Sequence, residues 1–224
     1  MKVGMLTSPF GREPLAEAVR FAADAGFDAL EIATGRGSAH CDVTEGDAKA
    51  AQEVSRLVTD AGLEISSFAC YANVFAEGPS INEGVVSAIR GAIDSASAIG
   101  VDVVCCLAGM SASGVSKEVM IKEWAPQVWL PLAEYAQSKG VKIAFENYFA
   151  TLLQSTREFI WFFESCPHPC LGLNYDPSHL VHQGCDHHEP VELFEDRVFH
   201  THAKDTDINE RTLRRIGNLN SGWW

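Results

Sequence analysis

The stretch Lys139-Gly140-Val141-Lys142-Ile143-Ala144 passes from a helical pattern through glycine directly into an apolar strand. Glycine can adopt the left-handed conformation that ends a helix and lets the chain turn into a strand. The same pattern occurs in three earlier segments: Ala25-Gly26-Phe27-Asp28-Ala29-Leu30, Ala61-Gly62-Leu63-Glu64-Ile65 and Ile99-Gly100-Val101-Asp102-Val103-Val104. The copies are separated by one helix and one strand, which predicts regular alternation of the two elements.

Short, nearly continuous apolar runs predict strands that are buried on both faces, as in a parallel sheet. They cover residues 3–6, 29–32, 65–69, 103–107, 143–145, 171–175 and 198–201. Helical periodicity between them predicts helices over residues 13–25, 47–61 and 81–99. A further helix is expected within residues 117–139, where Pro126 and Pro131 would interrupt or kink it.

Alternating strands and helices form either an open doubly wound sheet or a closed barrel of eight units over ~250 residues. The turn Thr7-Ser8-Pro9-Phe10-Gly11 after the first strand lacks the Gly-x-Gly-x-x-Gly pattern of a dinucleotide site, which favours the barrel. We therefore predict a single TIM (β/α)8-type barrel domain over residues 1–224 whose eighth unit is missing from this chain. The natural protein is expected to continue beyond Trp224.

The composition, with 46% hydrophobic and 21% charged residues, is that of a folded globular protein. Lys+Arg 17 against Asp+Glu 30 gives a net charge of -13, which disfavours nucleic acid as a partner. No run approaches the ~18 apolar residues of a membrane span, and the amino terminus lacks a secretory signal pattern. The 7 scattered cysteines are expected to be reduced thiols of a cytoplasmic protein, and association into homo-oligomers stays open.

Ionisable residues stand at the ends of the last three predicted strands. Glu146 ends one strand, Asp176 and His179 follow the next, and His200-Thr201-His202 ends the last. Because chemistry in such barrels gathers at the carboxyl ends of the strands, these residues predict a divalent metal site. Each residue alone also has an ordinary interpretation, since an acid at a strand end often caps the next helix and a single histidine is usually structural.

The two histidines of the last strand are predicted to play different roles. We expect at most one of the two imidazoles to point into the barrel. His202 lies nearer the catalytic end and is the predicted ligand. His200 is expected to face the helical layer or the lower barrel as a packed, hydrogen-bonded side chain.

The chain resembles the xylose isomerase-like TIM barrels, which include sugar phosphate isomerases/epimerases, ketose 3-epimerases, inosose dehydratases and endonuclease IV. The segments that carry the resemblance are Leu30-Glu31-Ile32, Gly62-Leu63-Glu64-Ile65-Ser66-Ser67, Ile143-Ala144-Phe145-Glu146-Asn147, Tyr175-Asp176-Pro177-Ser178-His179 and His200-Thr201-His202-Ala203-Lys204-Asp205. The resemblance implies that Glu146, Asp176 and His202 bind manganese, zinc, cobalt or magnesium. It also implies a fourth ligand beyond Trp224 and substrate contacts from His179 and Lys204.

The activity that the resemblance implies is that of a divalent-metal-dependent isomerase or epimerase. It would act on a sugar or a polyol-derived ketone through a metal-stabilised enediolate, with Glu146 and His179 as catalytic residues. A dehydratase of inosose type and a polyol-binding barrel without turnover are alternatives. An endonuclease IV-like hydrolase is disfavoured by the net charge of -13 and because Cys70-Tyr71-Ala72-Asn73 and Leu107-Ala108-Gly109 lack the extra histidines of that enzyme.

Overall fold

The computed structural model describes residues 1–43, 48–76, 78–218 and 220–224. Seven of its strands coincide with the seven apolar runs of the sequence, and one short strand was not predicted. The strands are β1 (Gly4–Leu6), β2 (Ala29–Gly35), β3 (Cys41–Asp42), β4 (Glu64–Cys70), β5 (Val103–Cys106), β6 (Lys142–Glu146), β7 (Leu171–Tyr175) and β8 (Val198–Thr201).

Helices follow most of the strands. They are α1 (Leu15–Ala25), α2 (Ala48–Asp60), α3 (Glu83–Ile99), α4 (Lys117–Val119), α5 (Ala125–Ser138), α6 (Thr156–Ser165), α7 (Ser178–Val181), α8 (Glu189–Phe194) and α9 (Glu210–Ile216). None of the helices in the described ranges combines the length and apolarity that crossing a bilayer demands.

The predicted helices are present, but the first residues of α1 and α3 differ from the predicted ones because of local capping. The helix α1 begins after Pro14, and α3 begins after Asn82, whose side chain accepts a hydrogen bond from the Val85 amide. Asp47, the predicted first residue of α2, lies outside the described residues. Between α4 and α5 the chain forms a π-helical turn, Met120–Trp124; Pro126 stands in the first turn of α5, and Pro131 lies inside that helix.

The strands form one parallel sheet in the order β1-β2-β4-β5-β6-β7-β8, with β3 paired to the far end of β2. Within the described ranges, no strand pairing joins β8 to β1, so the sheet curls as a TIM barrel that is open between these two strands. Gly26 and Gly100 end α1 and α3 with φ of 80° and 77°, as the repeated pattern predicts. Parallel pairing places the carboxyl ends of all these strands at the same rim.

The main hydrophobic core lies between the sheet and the helices, whereas the inside of the barrel holds a small apolar cluster and several polar side chains. A small apolar cluster of Val103, Cys105 and Ala144 packs there against Tyr71 and Phe199. Cys106, the neighbour of Cys105 along β5, belongs instead to the main core, because successive side chains of a strand point to opposite faces. The buried polar side chains of Glu31, Ser67 and Asn174 are also strand residues.

The strands β7 and β8 meet at an irregular register. Leu173 pairs with Val198 but Asn174 pairs with His200, so β8 carries one extra residue at this point. Gly172 allows the close approach, since a Cβ on Gly172 would lie 2.3 Å from the Arg197 carbonyl oxygen and 2.4 Å from the Phe199 ring. A side chain at this position would therefore push β8, which carries His200, away from β7.

We predict that Gly172→Ala lowers the free energy of unfolding by about 1–3 kcal/mol, because backbone and a packed ring would have to move. Urea denaturation followed by circular dichroism measures the change. Gly84→Ala is the matched control: its added Cβ would meet only Asn82 Oδ1 at 3.4 Å, in the first turn of α3. Equal stability of the two variants would contradict the tight β7–β8 contact.

Candidate active site

The rim of the barrel brings together the two predicted acidic ligands. Glu146 is the last residue of β6, and Asp176 follows directly after β7. Asn147 joins these two strand ends, because its amide nitrogen donates to the Asp176 carbonyl oxygen at 2.7 Å and its amide oxygen accepts from the Asp176 amide at 2.8 Å. A buried asparagine thus fixes the spacing between the two carboxylates.

Asp176 uses its two carboxylate oxygens differently. Oδ1 accepts hydrogen bonds from the Ser178 amide, at 2.9 Å, and from the Ser178 hydroxyl, which holds the start of α7. Oδ2 lies 3.1 Å from Lys204 Nζ and 3.5 Å from His179 Nε2. The side chain therefore both holds the first residue of the next helix and belongs to the site.

His179 completes a compact set of potential metal ligands. One ligand atom from each of Glu146, Asp176 and His179 lies within 4.8 Å of the other two. Lys204 Nζ is 2.8 Å from His179 Nε2, and because an ammonium group only donates, Nε2 accepts and the proton of the neutral ring sits on Nδ1. In the part of the chain that the structure describes, this buried Nδ1–H has no hydrogen-bond partner.

Burial lowers the pKa of His179, the charge of Lys204 acts in the same direction, and the carboxylate of Asp176 opposes both. The net shift is downward, so the ring is neutral at pH 7. A neutral imidazole carries one nitrogen lone pair, here on Nε2, which can accept a hydrogen bond or bind a metal ion.

His202 lies between two carboxylates. Its Nδ1 is 3.1 Å from Glu146 Oε1, and its Nε2 is 2.8 Å from Glu31 Oε2. Burial by itself lowers the pKa of His202, but hydrogen bonds and charge from Glu146 and Glu31 raise the pKa to about 10. The predicted ligand thus contacts Glu146, while the set whose ligand atoms lie within 4.8 Å contains His179 in its place.

The prediction that at most one of His200 and His202 points into the barrel is wrong. Both imidazoles approach Glu31, at 3.8 Å from His200 Nδ1 and 2.8 Å from His202 Nε2. The physical reason is the period of two along a strand, which puts residues i and i+2 on the same face. His200 is packed and hydrogen-bonded as expected, with Nδ1 3.0 Å from Asn174 Oδ1.

Three residues that the sequence analysis did not assign to the site take part in it. Glu31 is 3% exposed and stands within residues 29–32, which are otherwise apolar, and that unusual carboxylate was the available signal. Tyr71 donates to Glu31 Oε1 at 2.6 Å, and Asn174 Nδ2 donates to the Tyr71 hydroxyl at 2.9 Å. Burial raises the pKa of Glu31, but His202, His200 and Tyr71 together bring the pKa below its ordinary value.

A cavity of about 550 Å³ adjoins the cluster and is partly lined by His179 and Lys204. Aromatic side chains form much of its wall: Tyr148, Phe149, Trp223 and Trp224. The ring centroids of Tyr148 and His179 are 4.9 Å apart, edge to face. The cavity is therefore large enough for a small ring-shaped ligand beside the acidic cluster.

The donor set fits a divalent cation. The carboxylates of Glu31 and Glu146 both contact the His202 imidazole, and the carboxylate of Asp176 contacts the Lys204 ammonium group. Carboxylate oxygens combined with imidazole nitrogens are ligands that magnesium, manganese, zinc and cobalt accept. The excess negative charge favours a cation at this rim.

Comparison with known proteins assigns the family. A sequence profile of the xylose isomerase-like TIM barrel matches residues 19–221. The chain belongs to the xylose isomerase-like TIM barrel family. An uncharacterized protein, YfiH, of Bacillus subtilis strain 168 is 27% identical over 244 residues, which cover 98% of this chain and 77% of that protein.

Two further similar proteins cover different shares of this xylose isomerase-like chain. An inosose dehydratase of Geobacillus thermodenitrificans is 32% identical over 77 residues, covering 34% of this chain and 26% of that enzyme. The crystal structure of a D-tagatose 3-epimerase-like protein superposes with a TM-score of 0.71 at 24% identity, covering 92% of this chain and 77% of that one. The structural match supports the fold.

We predict that His202 in the metal-free protein stays protonated until the pH approaches about 10. A folded-state pKa above the ordinary ~6.5 means that its contribution to stability is complete below that pH and is lost as the pH rises through about 10. Nuclear magnetic resonance titration of the imidazole measures the midpoint, and Glu31→Gln is expected to lower it.

The control for this titration is Glu64→Gln, which changes an exposed acid at the start of β4 and should leave the midpoint unchanged. A wild-type midpoint near 6.5 would contradict the position of His202 between two carboxylates.

Proposed function

We propose that this protein is a divalent-metal-dependent isomerase or epimerase of a sugar or a polyol-derived ketone. The observation that carries the proposal is the cluster of Glu146, Asp176 and His179, whose ligand atoms lie within 4.8 Å of one another. This cluster adjoins the aromatic-walled cavity through His179. Membership of the xylose isomerase-like family supports the reaction class, and carbohydrate is accordingly the proposed substrate.

Glu146, Asp176 and one or both of His179 and His202 would hold the metal ion. When bound, such an ion would polarise the substrate carbonyl and acidify the neighbouring C–H bond. The Glu146 carboxylate is the proposed base, since it stands at the strand end with one oxygen, Oε1, facing His202 and His179. Return of the proton to the former carbonyl carbon gives isomerisation. Return to the original carbon on its opposite face gives epimerisation.

His179 and Lys204 are the proposed substrate-binding residues. The Nε2 edge of His179 faces Lys204 and Asp176, so this edge can accept a hydrogen bond from a substrate hydroxyl group. The ammonium group of Lys204 is 3.1 Å from Asp176 Oδ2, and the side chain is 46% exposed, so it can contact both the site and a ligand in the cavity. Both residues thus orient the substrate.

An unphosphorylated substrate fits the cavity best. Asp205 and Asp207 line its wall, and their charges would repel a phosphate group. The rings of Trp223 and Trp224 offer apolar faces, with centroids 4.8 Å apart, for the C–H faces of a sugar or cyclitol ring. We therefore include free ketoses and keto-inositols among the proposed substrates.

Dehydration of an inosose is the second candidate. The 32% identity to an inosose dehydratase over 77 residues is the specific observation that favours it. The same proton abstraction would begin the reaction. The hydroxyl group on the next carbon would then leave as water with that proton, in place of reprotonation of carbon. A phosphodiesterase function is disfavoured by the net charge of -13.

We predict that the protein with manganese exchanges a carbon-bound proton of a free ketose or keto-inositol with solvent deuterium, and that a chelator abolishes the exchange. Glu146→Gln should lower the rate by ~10²–10⁴, the usual contribution of general acid–base catalysis. Mass spectrometry of the recovered sugar measures both exchange and product, and loss of water identifies a dehydratase.

The matched control is Glu134→Gln, which changes an exposed acid of α5 and should leave the rate unchanged. Full activity of the Glu146→Gln variant would remove Glu146 from the chemistry. Cleavage of abasic-site DNA without sugar turnover would overturn the proposed reaction class.

A further inference from the structure

A second cluster of potential metal ligands lies inside the barrel. Glu31 of β2, Cys105 of β5 and His200 of β8 each place one ligand atom within 4.8 Å of the other two. None of the three belongs to the cluster of Glu146, Asp176 and His179. Their strands come from three different parts of the sheet, so the residues meet only because the sheet curls.

The three side chains are buried to different degrees. Glu31 is 3% exposed and Cys105 is fully buried, whereas the side chain of His200 is 17% exposed. A small ion could therefore reach the cluster past His200, along the partly exposed strand β8. Glu31 Oε2 and His200 Nδ1 are 3.8 Å apart, close to the separation of two ligands of one ion.

The donor set has the chemistry of zinc. Thiolate sulfur, imidazole nitrogen and carboxylate oxygen are the three ligand types that zinc binds in proteins. One thiolate and one carboxylate together neutralise the two charges of the ion, which removes the main cost of burying it. Magnesium and manganese, by contrast, prefer oxygen ligands and have little use for a thiolate.

We propose that Glu31, Cys105 and His200 form a second metal site, which holds zinc or another divalent ion that accepts a thiolate. On binding, the Cys105 thiol releases its proton to solvent and the sulfur forms a bond to the ion. His200 Nδ1 gives up its hydrogen bond to Asn174 Oδ1, and the ring proton moves to Nε2, which lies 3.2 Å from Ser66 Oγ. The Glu31 carboxylate and the His200 imidazole complete the protein ligands.

This site would link strands on different sides of the barrel and so stabilise it. In the described ranges β8 pairs with β7 alone, so one of its edges has no strand neighbour. An ion bound to His200 would connect β8 to β2 and β5 across the interior. It would also keep Glu31 beside His202, whose other ring nitrogen contacts Glu146.

Cobalt tests the proposal, since Co²⁺ replaces zinc and shows a near-ultraviolet charge-transfer band only when a thiolate is a ligand. We expect the metal-free wild-type protein to develop this band on titration with Co²⁺ and zinc to remove it. The site of Glu146, Asp176 and His179 contains no sulfur, so cobalt bound there gives no such band. Absence of the band in the wild-type protein would overturn the proposal.

Cys105→Ser and Cys106→Ser form a matched pair, because the two neighbouring cysteines of β5 belong to different clusters, Cys105 inside the barrel and Cys106 in the main core. Cys105→Ser should lose the band and one equivalent of bound metal, whereas Cys106→Ser should keep both. A band that persists in Cys105→Ser, or that disappears only in Cys106→Ser, would overturn the proposal. Circular dichroism checks that each variant is folded.

A second measurement covers the case in which Cys105→Ser does not fold. His200→Gln, at the partly exposed strand, should weaken the band and abolish the rise in melting temperature that zinc gives the wild-type protein. If zinc raised the melting temperature of His200→Gln as much as that of the wild-type protein, a metal link to β8 would be contradicted. These readouts are independent of turnover, so they stand whether or not the protein acts on sugars.

Discussion

Parallel pairing of β6 with β7 and of β7 with β8 is the constraint on which the site depends. It brings Glu146, Asp176 and His202, which are far apart along the chain, to one rim of the sheet. Asn147 then ties the ends of β6 and β7 together by two hydrogen bonds to the Asp176 backbone. Carboxylates held this close repel one another, and His202 and Lys204 supply the positive charge that offsets the repulsion.

His202 connects the two clusters of the molecule. One ring nitrogen contacts Glu146 at the rim, and the other contacts Glu31 in the barrel interior. A change of charge in either cluster would therefore alter the hydrogen bonding of the other through one imidazole. The rim cluster adjoins the cavity through His179, and we propose a catalytic role for it; the interior cluster lies among strands, and we propose a structural role for it.

Seven strands of the barrel could be predicted from the sequence because each is a nearly continuous apolar run, and β2, β4, β5 and β6 also follow a glycine that ends a helix. For Glu146 and Asp176 the strand ends alone gave the correct location. The predicted first residues of the helices were less accurate. The helices α1 and α3 begin directly after the N-cap residues Pro14 and Asn82, which hydrophobic periodicity does not detect. The short strand β3, two residues long, has no periodic signal at all.

The rest of the site depends on contacts that the sequence does not show. Glu31 and His202 are 171 positions apart in the sequence, yet their side chains are in contact. From the sequence alone, Glu31 is only a single acid within an apolar run. The period of two along a strand already places His200 and His202 on the same face. The structure shows this, since both side chains approach Glu31 inside the barrel. The proton on Nδ1 of His179 follows from the approach of Lys204 to Nε2, which only the folded chain defines.

The most direct test of the account is a crystal structure of the protein soaked in manganese, with anomalous scattering recorded at the metal edge. We expect a peak within bonding distance of carboxylate oxygens of both Glu146 and Asp176, with an imidazole of His179 or His202 as a further ligand. A fully occupied manganese ion elsewhere, with the Glu146 and Asp176 carboxylates unbound, would contradict it.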